Sequence, residues 1–160
     1  MIRPLKETEY GLLDSFLYEA IFVPEGMQPP PRSILLNPEL QVYVSGFGTQ
    51  EADTAFVAEK NGRVIGAAWA RIMEDYGHID EQTPSLVIAL LPEYRNQGVG
   101  RALLTELVSA VKEKGFSQVS LSVQKANWAF HLYQRVGFEI AWETENEYGM
   151  VKDLRKRTQS

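Results

Sequence analysis

The chain has 160 residues, contains no cysteine and carries a formal net charge of −5 at pH 7. The lack of cysteine excludes disulfides and thiol nucleophiles, and the acidic balance argues against a nucleic-acid surface. The sequence shows neither a signal-peptide core nor an apolar run of membrane-spanning length, so we expect a cytoplasmic protein without membrane contact. The length predicts one domain over residues 1–160, ending in a disordered tail over residues 155–160.

Apolar periodicity predicts one strand and two helices in the first third of the chain. Residues 2–5 are expected to form a strand, and Thr8 to cap a helix that runs to Phe22. Three consecutive prolines forbid regular structure within residues 23–33, which form either a spacer or a wall of a binding site. A second, shorter helix is expected over residues 38–44.

The middle of the chain predicts a hairpin, a buried strand and a long helix. Asn61-Gly62 separates apolar runs at residues 54–60 and 63–73, an arrangement typical of a two-residue β-hairpin. The run at residues 86–91 is apolar on both faces, so we expect it to be a central strand. A helix over residues 100–114 follows. Its predicted core positions are Leu103, Leu104, Leu107, Val108 and Val111.

The last third predicts strands around a short helix. Residues 118–123 alternate apolar and polar, as a half-buried strand does. Asn127 can cap a short helix that Gly137 ends. Residues 138–142 and 148–153 form the final two strands. Together these elements predict a mixed α/β domain.

Two glycines lie at the junction between the buried strand and the long helix. Gly98 and Gly100 relieve steric limits on the backbone at a point where helix N–H groups have no internal partners. Such a helix start attracts anions, and Arg95 and Arg101 add positive charge beside it. The junction is therefore either a phosphate site or a tight turn whose glycines serve packing alone, with the arginines as solvated charges.

Two blocks of sequence carry a resemblance to a known family. Residues 95–100 read RNQGVG and follow the buried strand, and residues 127–138 read NWAFHLYQRVGF. With the preceding hairpin, the chain over residues 54–153 resembles the GNAT superfamily of acetyl-CoA-dependent N-acetyltransferases. The resemblance implies a mostly antiparallel sheet of six to seven strands flanked by helices, with central strands splayed at the cofactor.

The resemblance also implies where acetyl-CoA would bind, and it implies no metal. Backbone N–H groups of residues 97–101 would hold the pyrophosphate, and the Leu90 N–H would face the thioester oxygen. Tyr133 would protonate the leaving thiolate, with plain core packing as the less favoured alternative. Asn127 could be a helix cap alone. The implied cofactor contacts are Ala89, Leu90, Leu91, Arg95, Asn96, Gln97, Gly98, Val99, Gly100, Arg101, Asn127 and Tyr133.

The general base is where this sequence departs from the family pattern. Many relatives carry a glutamate near the start of the central strand, and this chain has Ser85 about there. Side chains of the preceding loop could replace it directly or through water. Those that we consider are Glu74, His78, Asp80 and Glu81.

The acceptor is expected to be a small-molecule or peptide amine. Candidate pocket residues are Tyr18, Phe22, Glu25 and Tyr76, of which Glu25 would attract a cationic amine. A non-catalytic CoA-binding module and a purely structural domain are the alternatives to an enzyme. Exposed Trp128 or a C-terminal edge strand could support a homodimer.

Overall fold

Seven strands form one sheet within residues 1–155, the part of the chain that this computed structural model describes. The strands are β1 Ile2–Pro4, β2 Thr54–Lys60, β3 Arg63–Arg71, β4 Ser85–Leu90, β5 Gln118–Gln124, β6 Glu139–Glu143 and β7 Glu147–Asp153. The helices are α1 Leu12–Ala20, α2 Pro38–Gln41, α3 Val99–Glu113 and α4 Ala129–Val136. No helix of this described part is long and apolar enough to cross a bilayer.

The strand order is β1-β2-β3-β4-β5-β7-β6, and every neighbouring pair is antiparallel except β4 with β5. The predicted mixed, mostly antiparallel sheet is thus confirmed, and β4 is its central strand as its two apolar faces indicated. The hairpin is also confirmed, since Asn61 and Gly62 have φ of 53° and 78°, the left-handed values of a type I′ turn.

Two apolar clusters cover the opposite faces of the sheet. Alternation along β3 places Ala67 and Trp69 against α1, and Ala68 and Ala70 against α3 and α4. All five predicted core residues of α3 are buried. The helices thereby hold β4 firmly from both sides.

The N-terminal helix begins and ends differently from the prediction. Residues Glu7–Glu9 form a 3₁₀ turn that the Glu9 carboxylate anchors to Arg3 and to the Lys6 N–H, so Thr8 does not cap α1. The helix starts at Leu12 and ends at Ala20, because Ile21 is extended. Phe22 therefore lies in the loop that follows and not on the helix.

The second helix is a single turn, shorter than predicted. Asn37 caps it by accepting the Glu39 N–H at 2.9 Å. The chain then coils around Arg71, whose guanidinium binds the carbonyl oxygens of Val42 at 3.3 Å and Ser45 at 2.7 Å. Those carbonyl groups bond to Arg71, and the predicted helix over residues 38–44 stops at residue 41.

The C-terminal elements follow the prediction closely. Gly137 ends α4 with a φ of 107°, and β6 is an exposed edge strand. Leu154 is buried, and Arg155 pairs with Asp153 at 2.7 Å. The predicted tail otherwise falls on residues 156–160, outside the described residues.

Candidate functional site

A gap opens between the two parallel strands at the centre of the sheet. In the described chain β4 and β5 pair at one position, Ser85 opposite Ser120. Beyond it lies a cavity of about 1160 Å³ whose walls include residues 86–90 of β4 and residues 122–124 of β5. A smaller pocket of about 470 Å³ adjoins the outer side of α3 and shares Gly98 and Arg101 with the cavity. The expected splay of the central strands is therefore present.

The backbone of β4 presents its Leu90 amide to this gap. Leu91 donates its N–H to the Ile65 carbonyl at 3.0 Å, and hydrogen-bonded pairs alternate along an antiparallel ladder. Ala89 therefore bonds to β3 as Leu91 does, whereas the N–H and C=O of Leu90 point the opposite way, toward β5. Of the three β4 residues expected at the cofactor, Leu90 is the one whose amide faces the gap.

The glycine junction forms a tight turn that opens α3. Asn96 and Gly98 have φ of 61° and 85°, so the turn uses left-handed backbone at two positions. A Cβ on Gly98 would meet nothing within 4 Å, and the glycine is therefore required by its φ. A Cβ on Gly100 would contact Leu90 and Leu132 at an ordinary 3.5 Å. Packing within the protein does not demand glycine at position 100, although the residue lines the cavity.

The two arginines of the junction differ in what they contact. Arg95 donates to the Leu90 carbonyl at 3.2 Å and to the Glu19 carbonyl at 3.1 Å, and lies 3.5 Å from the Glu19 carboxylate. It ties the turn to the end of α1 and is more than a solvated charge. Arg101 is exposed and lines both the cavity and the adjoining pocket. Gln97 donates its side-chain amide to the Glu93 carbonyl at 2.8 Å.

The second sequence block lies along the far wall of the cavity. Asn127 accepts the Ala129 N–H at 2.9 Å, so it does cap α4, and it lines the cavity as well. Tyr133 is 7% exposed, packs edge-on against Phe138 and also lines the cavity. Burial raises the pKa of the Tyr133 phenol above its ordinary value. The phenol is therefore protonated at neutral pH.

The four predicted acceptor residues all line the same cavity, at the end near α1 and the proline-rich loop. Tyr18 donates its hydroxyl to the Pro30 carbonyl at 2.5 Å and thereby fastens that loop to α1. The loop is thus a wall of the cavity and not a free spacer. Tyr76 is exposed, as is Glu25. Trp69, by contrast, is core, with its indole N–H on the Tyr43 carbonyl at 2.9 Å.

The candidate bases named from the sequence do not line the cavity. Glu74 and Glu81 are exposed, and His78 bonds to the Met73 carbonyl at 2.8 Å. The carboxylate of this loop that does line the cavity is Asp75, which accepts the Ser85 hydroxyl at 2.8 Å. The sequence does not single out Asp75, because this loop contains four acidic residues. The path of the loop across β5 determines which of the four borders the cavity.

Comparison with known proteins identifies relatives of one kind. The profile of the acetyltransferase (GNAT) family matches residues 19–138. A [ribosomal protein bS18]-alanine N-acetyltransferase of Haemophilus influenzae is 35% identical over 89 residues, which cover 56% of this chain and 57% of that protein. A mycothiol acetyltransferase of Thermobifida fusca is 29% identical over 99 residues, covering 59% of this chain and 30% of that protein. The chain thus spans less than two thirds of these relatives' lengths.

Solved structures share the fold over the full chain. A putative acetyltransferase from Salmonella typhimurium, solved with its cofactor acetyl-CoA, superposes with a TM-score of 0.73. The match covers 100% of this chain and 96% of the other at 16% identity. This likeness concerns the fold.

Proposed function

The chain belongs to the GNAT acetyltransferase family, and from that premise we propose that it transfers the acetyl group of acetyl-CoA to a primary amine by direct attack. One observation carries the proposal. The Leu90 amide, the glycine start of α3 and the protonated Tyr133 all border a single cavity. These groups are a hydrogen-bond donor, an anion site and a proton donor, which are what acyl transfer from a thioester requires.

The residues present suit the cofactor. The N–H groups at the start of α3 provide an anion site for the pyrophosphate, and Arg101 adds a positive charge at the mouth of the cavity. Gly100 leaves open the volume that a Cβ would fill between Leu90 and Leu132. The free backbone edge of β4 can pair with the amides of an extended arm, as an added strand would. Acetyl-CoA, when bound, supplies the thioester carbonyl.

Leu90 and Tyr133 divide the chemistry between them. The Leu90 N–H is fixed by the β3 ladder, so it can stabilise a developing oxyanion with little reorganisation. The Tyr133 hydroxyl, kept protonated by burial, can hydrogen-bond to the leaving sulfur and donate its proton. Cys is absent from the sequence, which agrees with direct attack by the amine.

The acceptor end of the cavity favours a cationic amine. Glu25, Asp75 and Glu147 border the cavity, beside aromatic rings of Tyr18, Phe22 and Tyr76. A carboxylate-rich site attracts an ammonium group, and the rings add apolar contact. An N-terminal α-amine has a lower pKa than a lysine amine and is cheaper to deprotonate. The bS18-alanine N-acetyltransferase named above is consistent with that class. The cytoplasmic location and the homodimer stay predictions.

The proposed function is tested by an end-point assay of the free thiol released from acetyl-CoA. The acceptors are a panel of primary amines, including short peptides with free N-termini and blocked lysines. We expect turnover with one or more peptide or small cationic amines, and none when their N-termini are acetylated. Tight binding of acetyl-CoA without thiol release above the hydrolysis background for any amine would favour the non-catalytic CoA-binding module. The acylated peptides serve as matched controls because they differ in the amine alone.

A further inference from the structure

A partly buried hydrogen bond joins the start of β4 to the loop before it. The Ser85 hydroxyl donates to the Asp75 carboxylate at 2.8 Å, and Asp75 borders the cavity that also contains Tyr133. From this arrangement, and resting on the proposed acetyltransferase function, we propose that Asp75 is the general base, held by Ser85 at the place where many family members carry a glutamate. In this chain the carboxylate comes from the loop, and the first residue of the strand orients it.

The loop that carries Asp75 is fixed to the sheet. Ser120 donates its hydroxyl to the Gly77 carbonyl at 2.7 Å, and this bond is buried. A Cβ on Gly77 would lie 2.9 Å from the Leu121 backbone, so the loop packs directly on β5. Gln118 donates to the Thr83 hydroxyl at 2.9 Å. These contacts lie on both sides of the Ser85–Ser120 pair. Together they fix the loop on the sheet and so hold Asp75 in a defined position.

The surroundings of Asp75 suit a base. Burial raises the pKa of the Asp75 carboxyl, and hydrogen bonds from Ser85 and Tyr43 oppose that rise. Tyr43 in turn feels the charges of Asp75, Tyr76 and Glu147, and burial raises the pKa of its own phenol. Tyr43 thus connects Asp75 electrostatically to the Tyr76 phenol and the Glu147 carboxylate. A carboxylate with a raised pKa is a stronger base, and the hydrogen bonds from the two hydroxyl groups limit that rise.

In the proposed reaction Asp75 accepts a proton from the amine, and Tyr133, on the opposite wall of the cavity, donates one to the leaving sulfur. The acceptor ammonium group first gives one proton to water. The neutral amine nitrogen then bonds to the thioester carbonyl carbon, and one N–H proton passes to an Asp75 oxygen, directly or through water. The carbon–sulfur bond then breaks, and the sulfur takes the hydroxyl proton of Tyr133. Asp75 returns its proton to water, and Tyr133 regains one from water. The products are the amide and the free thiol, so each residue ends as it began.

Ser85 is a positioning residue in this account and does not contact the amine. Its hydroxyl fixes one carboxylate oxygen and stabilises the ionised form. Removing the hydroxyl should therefore raise the pKa of Asp75 without removing the base. The acid limb of the pH–rate profile moves to higher pH in Ser85→Ala, whereas a merely structural role for Ser85 would leave that limb in place.

The test compares Asp75→Asn, Ser85→Ala and Glu74→Gln. Asparagine preserves the shape and the hydrogen bond from Ser85 while abolishing basicity. Glu74 is exposed one residue earlier in the same loop and does not border the cavity, so its variant controls for loss of one negative charge. Each protein is assayed for kcat and KM from pH 5 to 9 with acetyl-CoA and the best peptide amine. Circular dichroism and acetyl-CoA titration verify folding and cofactor binding.

We expect kcat of Asp75→Asn to fall by about 100-fold or more with acetyl-CoA affinity unchanged. The acid limb should disappear in that variant, shift upward in Ser85→Ala and stay in place in Glu74→Gln. An Asp75→Asn protein that binds acetyl-CoA and keeps wild-type kcat would overturn the role of Asp75 and leave the acetyltransferase function standing. A wild-type protein that binds acetyl-CoA but acetylates none of the amines would instead contradict the function itself, and the base with it.

Discussion

Ser85 lies opposite Ser120 where β4 and β5 pair in parallel, and the cavity begins directly beyond that pair. The position of this pair determines which backbone groups of β4 are free to face the cavity. Had the two strands paired along their length, the Leu90 amide would be consumed by β5. Because pairing ends at Ser85, a backbone donor and the start of α3 face the same opening.

The two glycines of the α3 junction should respond differently to alanine. Gly98→Ala forces a left-handed residue and should lower the free energy of unfolding by about 1 kcal/mol. Gly100→Ala has room at 3.5 Å and stands in a helix, so its stability should equal or exceed that of the wild type by up to about 1 kcal/mol. Urea unfolding measures both.

Substitutions of the same two glycines, assayed for acetyl-CoA affinity, test whether the junction binds phosphate or is a tight turn whose glycines serve packing alone. If ligand approach is what requires glycine at position 100, Gly100→Ala should bind acetyl-CoA at least about tenfold more weakly despite its normal stability. Gly98→Asn, which tolerates left-handed backbone, is the companion variant and should recover most of the stability lost in Gly98→Ala. Wild-type affinity in Gly100→Ala would contradict the idea that ligand approach requires glycine at position 100.

Tyr133→Phe should separate catalysis from binding. The ring stays packed on Phe138, so folding and acetyl-CoA affinity should be retained. Loss of the proton donor should reduce kcat by about 100-fold or more, with little change in KM. Steady-state kinetics from pH 6 to 10 checks this, and Tyr148→Phe provides a control at a tyrosine that packs on Phe130 outside the cavity wall. Equal kcat in Tyr133→Phe and wild type would remove the general-acid role.

Local sequence signals predicted the elements with strong periodicity and left the interior of the site open. The Asn61-Gly62 hairpin, the five buried residues of α3 and the Gly137 stop each follow from a rule that acts within one element. The end of α2 does not, because Arg71 comes from a strand and lies 29 residues after Val42. Asp75 is the same case. Which carboxylate of the loop borders the cavity depends on how the loop crosses β5. That crossing is a tertiary contact, and no local sequence pattern predicts it.

The loop before β2 should depend on one buried ion pair. Arg71 and Asp53 have side chains that are 3% and 1% exposed, and the Arg71 Nε lies 3.1 Å from the Asp53 carboxylate. Asp53 also accepts the N–H groups of Gly48 and Gln50. Asp53→Ala leaves a buried guanidinium unpaired and should cost about 3–5 kcal/mol of unfolding free energy. A loss below about 1 kcal/mol in urea unfolding would contradict this structural role.

The N-terminal carboxylate network should make stability depend on pH. Hydrogen bonds from Arg3 and then from the Lys6 backbone lower the pKa of Glu9 from 4.5 to about 2. A group whose pKa is lowered on folding stabilises the fold above its unfolded pKa, and this contribution disappears as the pH falls from about 4.5 toward 2. Glu9→Gln should therefore be less stable than wild type at pH 7 by about 1 kcal/mol, since the pair is only partly buried. Thermal unfolding at several pH values should show the two proteins converging below pH 3, and a constant difference would exclude the linkage.

Calorimetric titration with acetyl-CoA tests the central claim most directly, because every role assigned to the cavity presumes that this compound binds there. Dephospho-CoA and ATP are the comparison ligands, and the protein must first be shown free of co-purified CoA. We predict saturable binding of acetyl-CoA at micromolar concentration, weaker binding of dephospho-CoA and none of ATP. Absence of acetyl-CoA binding in a folded, ligand-free sample would mean that the glycine turn serves packing alone, and would contradict the acetyltransferase account.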